Sequence, residues 1–311
     1  MLNYEETPSQ ACMEPLSVIS IQNLTKYYGK SIGVRNISFD VFGGEVFGFL
    51  GPNGAGKTTT IRLLLDLLRP SSGTIQVFGK NLADHSFEIR KRCGYLPGSF
   101  SAYGNLKGTE FLRLCADLRG VPRAVDPDLI ERFGLNEINL GQKIRHLSHG
   151  TLQKLGIVQA FFHRPELLIL DEPTLGLDPL MQEAFYNLLE VHRNRGCTIF
   201  LSSHNLSEVE KICRRLAIIR KGEIERVDSI ENLRKSLKKR LQFTLLRDAG
   251  DFRLPGAELI SRKGLTYEYF IRGDIQPVLK SLSELPLADV TMPEPGLEEI
   301  FINFYREKAD D

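Results

Sequence analysis

The apolar positions along this chain change period several times, and each change marks a different kind of element. Residues 17–42 contain SVISIQNLTKYY and GVRNISFDVF, in which apolar and polar positions alternate. That period predicts strands with one wet face. EVFGFLG is instead almost continuously apolar and ends in Gly51, the pattern of a strand buried on both faces. KTTTIRLLLDLLRP then predicts a helix running to Pro70, and TIQVFG a further strand. From about Ser86 to Gly141 the spacing is helical. In TEFLRLCADLRG the residues Phe111, Leu112, Leu114, Cys115 and Leu118 make one face. Beyond it LLILDE, PLMQEAFYNLLEVHRNRG, CTIFLSSH, NLSEVEKICRR and LAIIRKGEIERVDS alternate strand and helix. This alternation predicts a mostly parallel sheet with helices packed on it. Lys221–Gly222, inside the last segment, predicts a hairpin turn.

The pattern changes again near residue 236, at the charged stretch LRKSLKKR. RLQFTLL, ELISRKG and LTYEYFIRG read as strands, IQPVLKSLSEL as a helix and ADVTM as a strand. GLEEIFINFYRE places Leu297, Ile300, Phe301 and Phe304 on one helical face. The expected organisation is a loose acidic tail over 1–16, a large α/β domain over 17–235, and a small α+β domain over 239–311.

Composition narrows the class. Of 311 residues, 42% are hydrophobic and 25% charged, enough for a core that needs no metal or disulfide staple. The net charge of +1 carries no global bias toward nucleic acid, and none is expected as a partner. Cys12, Cys93, Cys115, Cys197 and Cys213 are scattered without metal spacing and read as reduced thiols of a cytosolic protein. The 6 histidines show no metal spacing either. No apolar run approaches the roughly 20 residues that span a bilayer. If the protein works at a membrane, another chain holds it there.

The chemistry starts at GPNGAGKT, Gly51 to Thr58, which matches G-x-x-x-x-G-K-[ST] between a buried strand and a helix. Gly51, Gly54 and Gly56 let backbone N–H groups curl round an anion, and the helix N-terminus adds a favourable dipole. Pro52, Asn53, Ala55 and Thr59 complete this phosphate cradle. Lys57 reaches the β- and γ-phosphates, and the Thr58 hydroxyl is a ligand for Mg2+. LLILDEP supplies the partner strand. Asp171 emerges at its carboxyl end as a second holder of Mg2+. Glu172, one residue on, polarises a water for attack on the γ-phosphate. His204 ends CTIFLSSH, in position to touch the γ-phosphate or orient Glu172; read alone it is more often a structural residue. Ser202 and Ser203 beside it hint at a hydrolase, but no G-x-S-x-G elbow exists here.

Taken together, these motifs resemble the ATP-binding subunits of ABC transporters across residues 17–235. GPNGAGKT is similar to Walker A, LLILDE to Walker B, Leu175–Asp178 (LGLD) to the D-loop, and His204 to the switch histidine. Tyr28 of YYGK matches the aromatic that stacks on adenine, and LSHGT, Leu147–Thr151, matches the signature usually written LSGGQ. The resemblance implies a P-loop NTPase-type, mostly parallel sheet, with an antiparallel β subdomain and a helical subdomain over about 99–162. It implies ATP and Mg2+ as cofactors, with Lys57, Glu172 and His204 catalytic. It also implies a second ATP-binding subunit, an identical copy or a paralogue. Ser148 and Gly150 of one chain then cover the γ-phosphate held by the other, and Asp178 joins the nucleotide site. The last expected partner is an integral membrane permease on a separate chain, which makes the protein cytoplasmic and peripheral on the inner face of the membrane. EPGLEEIFINFYRE resembles the end of drug- and antibiotic-exporter subunits, which tilts the expectation toward export.

Two positions depart from the family pattern. His149 and Thr151 stand where the signature has Gly and Gln. Gly98 stands after GYLP, where the family's Q-loop glutamine would meet Mg2+ and the attacking water; Ser99 or water alone then fills the gap, with low basal turnover. Phe100, Tyr103 and Leu106 follow on a Gly-punctuated loop, about where the family's permease docks, although they serve equally well as core. The basic joint (Arg234, Lys235, Lys238, Lys239, Arg240) reads as a solvated face rather than a lipid contact. The competing functions are a soluble ABC-type ATPase acting on nucleic acid or ribosomes, and a low-turnover module that senses ATP.

Overall fold

The computed structural model describes residues 16–122, 126–236, 239–250 and 252–293. They fall into two compact units that part between Val227 and Asp228.

The first unit is built on two sheets. β1 (Ser17–Tyr28) and β2 (Ser31–Phe42) pair antiparallel, and with β4 (Ser72–Val77) and β5 (Lys80–Asn81) form a sheet of order β2-β1-β4-β5. Their alternation is realised: Ile19, Ile21, Val34, Ile37 and Val41 are buried while several neighbours face water. A second sheet has six strands. They are β3 (Val46–Leu50), β6 (Cys93–Leu96), β7 (Leu167–Asp171), β8 (Thr198–Ser203), β9 (Arg215–Arg220) and β10 (Glu223–Ser229), in the order β10-β9-β3-β8-β7-β6. Every residue of β3, β7 and β8 is buried, as their continuous apolar runs require. Phe39 of β2 stacks on Phe47 of β3 with ring centroids 5.6 Å apart, and Phe200 of β8 lies 6.1 Å from both. This aromatic cluster joins the two sheets.

β3 pairs parallel with β8 and β9, and β7 parallel with β8 and β6. The register sets Leu50 beside Ser203 and Asp171 beside Ser202. The chain positions that follow, Gly51, Glu172 and His204, therefore share one edge of the sheet. That edge is where ligands bind in open parallel sheets.

The helices of this unit are α1 (Lys57–Leu64), α2 (Leu82–Arg92), α3 (Gly108–Arg119), α4 (Pro127–Arg132), α5 (Glu137–Gly141), α6 (His149–Phe161), α7 (Pro179–Asn194) and α8 (Leu206–Ile212). α1 stops six residues short of the Pro70 that its apolar run predicted. Asp66 turns into the left-handed region, φ 54°, where its carboxylate meets Arg69 at 3.2 Å and Arg90 at 3.9 Å. In α3 the buried side is Phe111, Leu112 and Ala116, and Leu118 is exposed, so the apolar face ends one turn early. β6 was not anticipated. Four residues between helical stretches carry too little period to stand out. The hairpin at Lys221–Gly222 is present, with φ positive at both residues (49° and 84°), as a tight two-residue turn requires. Its Gly222 N–H donates to the Ala55 carbonyl at 2.9 Å, and its carbonyl accepts from the Arg35 N–H at 2.7 Å.

The second unit opens with α9 (Ile230–Ser236) and continues as β11 (Lys239–Leu245), β12 (Ala257–Lys263), β13 (Thr266–Ile271), α10 (Gln276–Leu282) and β14 (Leu287–Thr291). The sheet order is β12-β13-β11-β14, antiparallel throughout. Leu241, Phe243, Leu245, Tyr267, Tyr269 and Ile271 form its core with Val278 and Leu282 of α10. The charged joint follows the division between the units. Asp228 accepts from Ser229 N–H and from the Asn232 amide, which ties it forward into α9. Of the basic joint, Lys235 pairs with Glu231 at 2.6 Å and Arg240 with Glu268 at 3.1 Å. The acidic tail, Cys12, Lys238 and the helix expected over GLEEIFINFYRE lie outside the described residues.

Cys93, Cys115, Cys197 and Cys213 are free thiols, and all but Cys115 are buried. Beside Cys93 the Arg119 guanidinium donates to the Cys93 carbonyl at 3.0 Å and to Nε2 of His163 at 2.9 Å. Burial and the Arg119 charge hold His163 at about 4, below its ordinary 6.5. The unfolded chain therefore binds a proton that the folded chain refuses over this interval. Stability contributed by neutral His163 is present above pH 6.5 and declines as pH falls from 6.5 to about 4. Urea melts across that window should show a shallower pH dependence for His163→Gln than for the parent; identical slopes would remove His163 from the account.

Candidate functional site

The site begins where β3 turns into α1. A Cβ at Gly51 would sit 2.3 Å from the Ile219 carbonyl oxygen, and one at Gly56, where φ is 112°, would sit 2.7 Å from that of Gly33. Only glycine fits either place. The chain can therefore wrap tightly from Gly51 to Gly56, with Ala55 buried beneath, and start α1 at Lys57. Tyr28, Pro52, Asn53, Gly54, Gly56, Lys57, Thr58 and Thr59 line a groove of about 300 Å³, with Ile32, Gly33 and Glu172. The Tyr28 hydroxyl lies 3.5 Å from that of Thr59, and the Tyr28 ring is half exposed at the groove mouth.

Lys57 is only 6% exposed. Its ammonium donates to the carbonyls of Gly51 at 2.7 Å and Pro52 at 3.2 Å, and meets Glu172 Oε1 at 3.1 Å. Glu172 Oε2 accepts from His204 Nδ1 at 2.7 Å. Glu172 itself has φ 47°, a left-handed backbone that is costly for a residue with a side chain and frequent at functional sites. Its N–H donates to the Ser202 carbonyl at 3.1 Å. Lys57, Glu172 and His204, 147 residues apart in sequence from first to last, form one chain of polar contacts.

Asp171 is 3% exposed, and both its oxygens are held: Oδ2 by the Thr58 hydroxyl at 2.9 Å, Oδ1 by the Ser202 hydroxyl at 2.5 Å. Thr58 and Asp171 thus present adjacent hard oxygen donors, the donor type that Mg2+ takes. A Cβ on Gly98 would stand 3.2 Å from the Asp171 carbonyl oxygen and 3.6 Å from Oδ2. The backbone at Gly98 therefore passes directly beside this carboxylate. Ser99 is exposed.

The fold does not bring every expected residue into this groove. Ser148 caps α6, accepting from the Thr151 N–H at 3.2 Å, and Gly150 follows in the first turn. Asp178 caps α7, accepting from the Met181 N–H at 3.0 Å. None of these three lines the groove of its own chain. Sequence analysis set Ser202 and Ser203 aside as hydrolase residues without finding their role as supports; the Ser203 hydroxyl donates to the buried Glu208 at 2.6 Å. Burial, and then the Glu172 charge, raise the Glu208 carboxyl, against the pull of the Ser203 and Thr174 hydroxyls and of His204. The signal was present: two hydroxyls at the end of an otherwise apolar strand are out of place unless each has a partner.

Phe100, expected on the loop, is a core residue. It is 7% exposed and meets Phe111 edge to face at 5.9 Å. Tyr103 is exposed and Leu106 half-buried. Beside Phe100 a cavity of about 370 Å³ is lined by Leu67, Arg90, Tyr95, Cys115 and Arg119, among others.

Comparison with known proteins agrees with this geometry. Residues 34–175 match the family described as ABC transporter. The bacitracin transport ATP-binding protein BcrA of Bacillus licheniformis is 40% identical over 232 residues, 74% of this chain and 75% of that protein. The chain belongs to the ATP-binding proteins of ABC transporters. An ABC transporter ATP-binding protein of Nostoc sp. is 36% identical over 304 residues, covering 92% of this chain and 89% of its own. A solved ATP-binding subunit of an ABC transporter is 33% identical with a TM-score of 0.66, and matches 70% of this chain and 92% of that one. The expected α/β fold of the P-loop NTPase type is therefore correct, and the ABC protein is an ATPase. Among the described residues no helix is long and apolar enough to cross a membrane.

Gly98→Gln should raise basal ATPase activity several-fold, because the amide would reach the space beside Asp171 and Thr58. Gly98→Ala, which adds only the close Cβ, is the control and should not raise it. Steady-state phosphate release decides; an unchanged or lower rate for Gly98→Gln counts against a gap at this position.

Proposed function

We propose that this ATPase is the motor subunit of a membrane exporter, working as two identical copies that enclose ATP between the cradle of one and the Ser148–Gly150 turn of the other. The observation that carries the proposal is the Lys57–Glu172–His204 chain at the cradle, in a subunit whose Ser148 and Gly150 do not line that same groove. A cradle with its base and a phosphate-covering turn that points elsewhere fit a reciprocal pair.

In this reading Tyr28 stacks on adenine, and Gly51 to Thr59 wrap the phosphates. Thr58 and Asp171 would hold Mg2+, which would supply positive charge against the phosphates. The γ-phosphate competes with Glu172 for the Lys57 ammonium. Freed on that side, Glu172 Oε1 takes a proton from water as the water oxygen bonds to the γ-phosphorus and the bridging P–O bond breaks to release ADP, while His204 keeps the carboxylate oriented through Oε2. Asp178 approaches the partner copy's nucleotide from the start of α7.

The domains proposed are the ATP-binding region over 17–235, with its helical part about 99–162, and an accessory α+β region over 239–311. A separate membrane permease docks beside the loop bearing Tyr103, against the apolar cavity next to Phe100. That contact holds the subunit at the cytoplasmic face. The relative named for bacitracin transport supports export of an antibiotic-like compound.

Glu172→Gln should lower turnover by at least about a hundredfold while leaving ATP binding intact. With ATP and Mg2+ it should elute at twice the monomer mass in size-exclusion chromatography and return to monomer when ATP is removed. A monomer under all conditions would exclude the reciprocal pair. Gentle solubilisation of native membranes should co-purify a polytopic membrane protein in stoichiometric amount; recovery with ribosomes or nucleic acid would favour a soluble ATPase instead.

A further inference from the structure

The loop after Glu172 is gripped by the helix that carries the phosphate-covering turn. Gln153 of α6 is 2% exposed among apolar neighbours, and its Nε2 donates to the Pro173 carbonyl at 3.0 Å. One turn earlier the His149 ring lies on Gly176, where φ is 80°: a Cβ there would stand 2.9 Å from the ring's Cδ2 and 3.1 Å from Nε2. Gly150 approaches the same residue, since its Cβ would be 3.6 Å from the Gly176 oxygen. The loop between these contacts is short and internally bonded: Leu175 N–H donates to Glu172 O at 3.2 Å, and Leu177 N–H to Thr174 O at 3.0 Å. A buried amide with one well-placed acceptor fixes register more strongly than an apolar side chain of equal size.

We infer that Gln153 and His149 latch α6 onto the 172–178 loop, making Gln153 a positioning residue for Glu172 and coupling the Ser148–Gly150 turn to the catalytic carboxylate of its own chain. Pro173 follows Glu172 directly, so the amide sets where the Glu172 backbone sits in its left-handed turn. His149, in place of the family's glycine, supplies a flat face that a glycine cannot offer to Gly176. Whatever moves Glu172 therefore moves Ser148 and Gly150. The identity of the phosphate that Ser148 serves rests on the reciprocal-pair reading; the latch itself rests on the contacts within one chain.

The test uses the full chain and steady-state ATPase assays. Gln153→Met keeps the volume and removes the donor. It should lower kcat about tenfold, because a small displacement of the base is enough, with KM for ATP within about twofold of the parent. His149→Gly is exposed and leaves the core untouched; it should lower kcat about threefold. The double variant should lose less than the product of the two, as for residues sharing one task. A kcat within about twofold of the parent for both variants would overturn the latch, as would a fall in kcat matched by an equal rise in KM. If Gln153→Met fails to fold, the His149→Gly result alone decides. Glu172→Gln with ATP is run alongside: if it stays monomeric, the reciprocal pair fails while the kcat comparison still judges the latch.

Discussion

One buried carboxylate holds the carboxyl edge of the six-stranded sheet together. Asp171 accepts from Thr58 of α1 and Ser202 of β8, so three elements meet on two oxygens. A charge placed where it is 3% exposed is costly unless its oxygens are satisfied, and here each oxygen has its own hydroxyl. The hydroxyls also orient it. One oxygen is tied to the neighbouring strand and the other to α1, which leaves the carboxylate little freedom to rotate. Glu172 inherits that fixed start, and its distances to Lys57 and His204 follow from it.

Much of this was legible in sequence, for a physical reason. β3, β7 and β8 are buried on both faces, so each must be apolar along its length, and the polar residues that break the run mark the carboxyl edge. The cradle was legible because Gly51 and Gly56 are sterically required there. Less visible were interactions that need two distant segments at once. Ser202 and Ser203, without the elbow of a hydrolase, had no visible role in sequence; they are supports for Asp171 and Glu208. Gln153 sat inside an apolar helix with nothing nearby in sequence to explain it. Phe100 stood open between anchor and core because its loop is rich in glycine, while its partner, Phe111, lies on the next helix. α1 ended early because Asp66 found two arginines, one of them on α2.

The second unit has a different logic. Its inner strands β11 and β13 are half-buried, with Phe243, Tyr267 and Tyr269 stacked on one face under α10. Ion pairs such as Arg240 with Glu268 occupy the other face. This separate core gives the unit an independent source of stability, and the alternating period of β11 and β13 announced it.

The hairpin at Lys221–Gly222 has the local sequence of a surface turn, and turns of that kind are usual places to insert a tag or a reporter. Here its Gly222 backbone is bonded on one side to Ala55 under the cradle and on the other to Arg35 of β2. The turn is a buttress of the Gly51–Gly56 loop. For anyone labelling this ATPase, the most permissive-looking loop in the sequence is one of the least permissive in the fold.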